Sequence, residues 1–263
     1  MNENEFKILK NKASGFKYTS LNYSEYEELK NYRLIHNDEK GILLTGKNEE
    51  KAIDELHWAA NQVQFLTENI PSDKKALSIT FIPEEWVDTL KERGFELFAI
   101  WNDYFKESLS SEETLPCNTI LSEKEAEAIS ALTISCRGYS RGFTGQSVTF
   151  CHDWIRNDTD DGVGDKAVIG YFEGDRLIGC VFVATYGEKK TLWIREIVVT
   201  PDCQGKGIGR QLMRQAFAYG LERGVERCFL AADECNDNAV HLYQCLGFIC
   251  NPKERQIDMI REG

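Results

Sequence analysis

Three glycines stand at alternate positions in QGKGIGRQL, residues 204–212, with Lys206 between two of them and Arg210 just after the third. Successive backbone N–H groups at the start of a helix make an anion site, and the helix dipole reinforces it. Glycine lets backbone approach a phosphate closely and tolerates positive φ, while the lysine and arginine add charge. These residue types point to a phosphate-bearing ligand. Two familiar phosphate loops are excluded, because GxxxxGK[ST] does not occur and the GxGxG found here is not the GxGxxG of dinucleotide folds. A carboxylate stands just upstream. Glu196 sits in IREIVV, an otherwise apolar run, where a charged group needs a partner or a purpose. Strand alternation sends Arg195 and Glu196 to opposite faces, which makes that arginine a poor partner.

The elements that must hold these groups are legible around them. Residues 166–200 read as three strands turned by EGD and YGEKK, so they pair as antiparallel hairpins. Residues 208–224 read as an amphipathic helix stopped at Gly224, followed by a short buried strand at 226–232 and a helix over 238–248 that ends at Gly247. Ser122 and Glu125 form a capping-box pattern ahead of a helix running to Cys136. The first half has a related rhythm: a strand at 41–46, a helix at 49–69, a strand at 76–82, then a helix opened by Pro83 and a Gly-Phe break into a strand ending near Trp101. LKERGFELFAIW and YQCLGFICN share the order helix, Gly-Phe, strand, which suggests a diverged internal repeat. Between the halves, KESLSSEETLP (residues 106–116) is rich in Ser and Glu and ends in Pro, and all nine cysteines lie beyond it. The division expected is 1–115 and 116–263.

A strand, then TPDCQ, then GKGIGR, then a helix resembles the signature of the GNAT superfamily of acyl-CoA-dependent N-acetyltransferases. Gln204, Gly207 and Gly209 stand at its [QR]-x-x-G-x-[GA] positions. A second family element follows in NDNAVHLYQCLGF, with Asn236, Tyr243, Gly247 and Phe248 in the family's order. The resemblance covers roughly residues 117–260. It implies an α/β (α+β) fold, a mixed and mostly antiparallel central sheet flanked by helices, here in two tandem domains. It also implies acetyl-CoA as cofactor, with CoA as product.

By that resemblance the backbone of Gly205, Lys206, Gly207, Ile208, Gly209 and Arg210 binds the CoA pyrophosphate, with Gln204 leading into the loop. Ile197, Val198 and Val199 pair with the pantetheine arm as if with an added strand. An N–H near Val198 polarises the thioester carbonyl. Asn236 contacts the cofactor or an ordered water, and Tyr243 protonates the departing thiolate. Some relatives carry a base on the strand before the asparagine, but Ala231 stands there. Glu196 is then the candidate base, directly or through a water, with Asp233 and Glu234 as fallbacks. Substrate contacts are expected from SCRGYSRGFTGQSVTFCHDWIRN (residues 135–157), where Arg137 and Arg141 flank Tyr139 and could grip a carboxylate. His152 reads as structural.

The net charge of −12 argues against nucleic acid as a partner and mildly favours a cationic acceptor. The nine cysteines show no CxxC or H-x3-5-H spacing, so no metal site is expected, and free thiols in a reducing cytoplasm fit. No apolar run reaches the roughly 20 residues of a membrane span, and the polar N-terminus has no targeting pattern. In the first half, KNEEKAIDEL puts acidic residues where the phosphate loop would sit, which would repel CoA. That half is expected to lack the cofactor and to shape a substrate cleft or a homodimer interface, with Trp58, Trp86 and Trp101 filling its core. Three functions stay open: an N-acetyltransferase acting on a primary amine of a small molecule or peptide, a non-catalytic acyl-CoA-binding interaction module, and a structural subunit with a vestigial loop.

Overall fold

The computed structural model describes residues 1–48, 53–71, 76–117, 119–157, 163–187 and 190–262. The chain forms two compact units, Met1–Ile100 with Gln256–Gly263, and Trp101–Arg255. Both divisions fall inside strands, not in the 106–116 stretch. That stretch belongs to the second unit and is tied down there. Lys106 pairs with Glu113 at 2.9 Å, Arg214 donates to Glu113 O at 2.9 Å, and the Leu109 amide donates to Glu226 O at 3.0 Å.

The first unit begins with α1 (Glu3–Ala13), whose Asn2 and Glu5 close a capping box. There follow β1 (Tyr18–Thr19), α2 (Tyr26–Leu29), β2 (Arg33–Asn37), β3 (Gly41–Asn48), β4 (Ile53–Ala60), α3 (Val63–Asn69), β5 (Leu77–Ile79), α4 (Val87–Lys91) and the start of β6 (Glu96–Lys106). Strands β2, β3 and β4 are antiparallel neighbours, β4 pairs β5 in parallel, and β5 pairs antiparallel with the end of the chain, Met259 opposite Ile79. The helix expected over 49–69 is therefore corrected: residues 49–52 lie outside the described residues, 53–60 form a strand, and only Val63–Asn69 is helical. IDELHWAA is buried from Glu55 onward on both faces, so it lacks the alternation that marks a half-buried strand. Trp58 and Trp86 lie in this unit's core with Leu43, Ile79 and Met259.

The second unit takes Trp101–Lys106 of β6, then α5 (Ala126–Ser135), α6 (Val148–Arg156), β7 (Lys166–Glu173), β8 (Arg176–Tyr186), β9 (Thr191–Val199), α7 (Ile208–Leu221), β10 (Arg227–Asp233), α8 (Asp237–Cys245) and the first part of β11 (Ile249–Arg261). The Ser122–Glu125 capping box forms as expected. Of the YGEKK turn, residues 188 and 189 lie outside the described residues. Strands β7, β8 and β9 are antiparallel, β9 and β10 are parallel, and β10 and β6 are antiparallel, which gives the mixed, mostly antiparallel sheet expected. On one face α5 and α6 pack Ile129, Leu132 and Trp154 against Val168, Phe182 and Val198. On the other, α7 and α8 pack Leu212, Phe217 and Tyr243 against Val181, Leu192 and Ile194. Trp101, half-buried, belongs to this unit and not to the first unit's core.

The units repeat one plan. In each, an antiparallel hairpin (β3–β4, β8–β9) leads into a helix (α3, α7), a strand parallel to the hairpin's second strand (β5, β10), a further helix (α4, α8) and a last strand.

Candidate active site

Strands β9 and β10 pair over only three residues, Thr191–Arg227, Leu192–Cys228 and Trp193–Phe229. Beyond them β9 continues to Val199 beside β8 alone, so its other edge has no strand partner among the described residues. The Thr200 amide donates to Ile178 O at 2.9 Å, on the β8 side. Backbone groups alternate in direction along a strand, so the Val198 amide also faces β8, while Ile197 and Val199 face the open edge. The outward amides thus flank Val198.

At the end of this edge lies the glycine loop. Gly205 and Gly207 have φ of +74° and +81°, and a Cβ at either would meet nothing within 4 Å. Both features fit a loop built for backbone to meet a ligand. The first bond of α7 runs from the Gln211 amide to Gly207 O at 3.1 Å, and the amides of Gly205, Lys206, Gly207, Ile208, Gly209 and Arg210 donate to no acceptor among the described residues. Unpaired amides at a helix start are an anion cradle. Gln204 reaches back to Val199 O at 3.0 Å and fixes the loop to its strand. These groups fit a pyrophosphate-bearing cofactor with a strand-like arm.

Glu196 lies on β9 below this edge, its side chain 8% exposed. Its Oε2 accepts from Gln146 Nε2 at 2.7 Å, and its Oε1 is buried without a hydrogen-bond partner. Burial raises its pKa, opposed by Arg195 and by the Gln146 hydrogen bond. The expectation that Arg195 points to the opposite face is overturned: its Nη1 is 3.5 Å from Glu196 Oε2. The cause is a register shift. Val183 faces Ile194 and Phe182 faces Glu196, which leaves Arg195 as an extra residue in β9. Alternation restarts there, and both side chains fall on the α5/α6 face, where Arg195 lies over the rings of Phe150 and Trp154.

Tyr243 belongs to the opposite, α7/α8 face, so the gap between β9 and β10 separates the two candidate catalytic groups. Its hydroxyl makes no hydrogen bond among the described residues, and burial raises its pKa. Asn236 caps α8, accepting from the Ala239 amide at 3.1 Å and donating to Ser140 Oγ at 3.0 Å.

Sequence reasoning missed what holds the loop between α5 and α6. Arg141 forks onto Asp233 at the end of β10, with Nη2–Oδ1 2.7 Å, Nε–Oδ1 3.1 Å and its own amide to Oδ2 at 2.6 Å. Asp233 is wholly buried; burial opposes its ionisation, but Arg141 and the Cys235 thiol outweigh it and hold its carboxyl below the usual range. Arg137 donates through Nε to Thr144 O. Both expected substrate arginines are thus engaged within the protein, while Tyr139 is exposed. The signal that could have found this clamp was a carboxylate next to the cleft strand's end with an arginine in a glycine-rich loop; the sequence does not show their pairing. Glu234 is 3.6 Å from Arg141 and half-exposed. His152, in the middle of α6, contacts Glu123 in the turn that precedes α5. Among the described residues no group of three or more metal-ligating side chains is placed to hold an ion, and no helix is long and apolar enough to cross a membrane.

This helix-flanked sheet, whose parallel pair parts after three residues beside a glycine loop, carries a family match: residues 130–248 match the Acetyltransferase (GNAT) family. The second unit belongs to that family. Streptothricin acetyltransferase of Streptomyces lavendulae is 40% identical over 76 residues, 29% of this chain and 40% of that protein. An uncharacterised N-acetyltransferase of Methanocaldococcus jannaschii is 30% identical over 95 residues, 36% of this chain and 42% of that protein. The chain therefore spans under half the length of these relatives. A tandem GNAT protein from the clavulanic acid pathway matches 88% of this chain and 83% of its own, with a TM-score of 0.56 at 14% identity. That likeness is one of fold, and it extends the GNAT architecture to the first unit.

Proposed function

We propose that the protein is an acetyl-CoA-dependent N-acetyltransferase that acetylates a primary amine of a small molecule or peptide by direct transfer. The observation that carries this reading is the unpaired β9 edge running into six unbonded loop amides. Acetyl-CoA would supply an acyl group activated as a thioester. The backbone of Ile197 and Val199 would align its arm, and Gly205 through Arg210 would hold its diphosphate, with Lys206 and Arg210 adding charge.

The chain's own groups then divide the proton work. An ammonium has no lone pair, so the acceptor must lose a proton before it attacks. Glu196 Oε1, buried and without a partner, accepts that proton, and desolvation brings its pKa toward the working range of a base. Gln146 holds the other oxygen and fixes the carboxylate's aim. The Tyr243 hydroxyl, kept protonated by burial, donates to the departing sulfur from the opposite face. Because Arg137 and Arg141 are engaged, the acceptor is recognised through its positive charge at Glu196 and not through a carboxylate. The Methanocaldococcus jannaschii relative, named as an N-acetyltransferase, points the same way to a nitrogen acceptor.

The test is free-thiol release from acetyl-CoA with a panel of amines, aminoglycosides, polyamines and peptides, with Tyr243→Phe alongside. Amine-dependent release that falls at least about tenfold in the variant supports transfer. Thermal stabilisation by CoA with no release from any amine would replace this reading with a non-catalytic acyl-CoA-binding module.

A further inference from the structure

The repeat invites a comparison of equivalent positions. Strand β4 stands to β3 and β5 as β9 stands to β8 and β10. Its parallel pairing is just as short: Asp54–Leu77, Glu55–Ser78 and Leu56–Ile79. Beyond Leu56, β4 should therefore expose the same kind of free edge that β9 exposes beyond Trp193.

It does not. The edge is occupied by the chain's own N-terminal segment. β1 pairs antiparallel with β4, Tyr18 opposite Ala60 and Thr19 opposite Ala59. Strand β3 already takes the other edge of these same residues, with Gly41 opposite Ala60 and Ile42 opposite Ala59. The Ser20 amide donates to Trp58 O at 2.9 Å, the Trp58 amide returns to Ser20 Oγ at 2.9 Å, and Thr19 Oγ1 donates to Trp58 O at 3.0 Å. The Lys17 amide donates to Asn61 Oδ1 at 2.7 Å. The Trp58 indole spans from β4 to the strand beyond, its Nε1 donating to Thr80 O at 3.0 Å, and it is wholly buried.

The loop differs in the same sense. Between β4 and α3 there are only Asn61 and Gln62, against the eight residues 200–207 between β9 and α7. This corrects the expectation that acidic residues in KNEEKAIDEL take the phosphate position. Lys47, Asn48 and residues 53–56 belong to the β3–β4 hairpin, residues 49–52 lie outside the described residues, and the equivalent loop is a two-residue connection. Two residues cannot wrap a diphosphate, and one of them is spent on the Lys17 amide.

We infer that Lys17–Ser20 is a tethered occupant of the first unit's acyl-CoA slot, a strand of the protein lying where the second unit would take the cofactor arm. The inference rests on the acyl-CoA reading of the β9 edge. A tethered strand meets its slot at an effective concentration of order millimolar, its ordering is completed by α1 and the buried Leu21, and it removes an unpaired sheet edge that could otherwise recruit another chain. The protein then carries one acyl-CoA site, not two.

Hydrogen exchange resolved by residue on the full chain tests this, first alone and then with acetyl-CoA. Alone, the Ser20 and Trp58 amides exchange at least about tenfold more slowly than those of Ile197 and Val199, which face the open edge. Adding acetyl-CoA slows Ile197, Val199 and Gly205–Arg210, leaves Lys17–Ser20 and residues 57–63 unchanged, and titrates to one equivalent. A Ser20 amide as fast as Val199, slowing of residues 57–63 by acetyl-CoA, or a second equivalent bound would overturn the inference. No response in the second unit with Ser20 still slow would sink the proposed function and with it the slot's assignment to acyl-CoA, while slowing of residues 57–63 with the second unit also responding would sink the plug alone.

Discussion

The two loops that border the β9/β10 gap are built on opposite terms. The loop between α5 and α6 is anchored to its surroundings by side-chain contacts at three residues. Ser140 is held by Asn236, Arg141 by Asp233, and Gln146 by Thr133, Ser130 and Glu196. The glycine loop keeps six amides unbonded and surrounds its positive-φ glycines with open space. The glycine-loop amides lie in a mostly exposed stretch at the start of α7, where they are accessible to an anion. Side chains of the fold hold the first loop, whereas the second is open to the diphosphate that the proposed function assigns to it. Beside the first loop one buried atom has no hydrogen-bond partner, Glu196 Oε1, the atom to which the proposed function gives the acceptor's proton.

Three substitutions test whether stability and affinity separate along this line. The largest effect is expected at Arg141→Ala, which strands the Asp233 carboxylate in a wholly buried position. Loss of one partner of such a pair costs roughly 3–5 kcal/mol. Urea unfolding should show that loss, with part of it recovered in Arg141→Ala/Asp233→Ala and acetyl-CoA affinity unchanged in the folded fraction. Equal losses of stability and acetyl-CoA affinity would erase the distinction between the loops.

Next is Glu196→Gln. Removing a general base typically costs about 10²–10⁴ in rate, while removing a desolvated charge stabilises the fold. The sign follows from the raised pKa. Protonated Glu196 is compatible with burial, so its contribution is present at low pH and lost as pH rises through the folded pKa. The variant's melting temperature should exceed the wild type's at neutral pH, with the difference vanishing in acid. The wild-type rate should rise with pH along a limb lying above the ordinary glutamate range. A variant less stable at neutral pH would mean that Glu196 is a structural ion pair with Arg195.

The smallest effect is expected at Arg210→Gln. Arg210 has no partner among the described residues, so the melting temperature should not move. A charge-assisted contact is worth about 1.5–3 kcal/mol, so acetyl-CoA should bind roughly tenfold more weakly, as calorimetry would show, and with a shallower salt dependence.

Much of the second unit was legible because its signals are local. Ser122 and Glu125 announce a helix start, EGD announces a hairpin, and Gly207 at the start of α7 reads directly as a loop needing positive φ. What escaped depends on partners distant in the chain. Nothing in IREIVV reveals that Arg195 is an extra residue, because the shift exists only against β8. Arg141 and Asp233 are 92 positions apart. IDELHWAA reads as helix because burial on both faces erases period two, although the Asn2–Glu5 capping box, which was available, would have placed α1. The family signature picked out the loop at the start of α7, but nothing local in the sequence shows that β1 pairs with the free edge of β4.

The eight residues Gln256–Gly263 belong to the first unit, where Ile257 and Met259 are buried in the core and Met259–Arg261 pair its β5. This sets an order for biosynthesis. A ribosome that has delivered residues 1–100 has delivered a unit still missing a core strand, and it must make the whole second unit before that strand emerges. The half synthesised first is therefore completed last. The second unit's set is whole once Arg255 has appeared, so it can fold while the first unit still lacks its last strand.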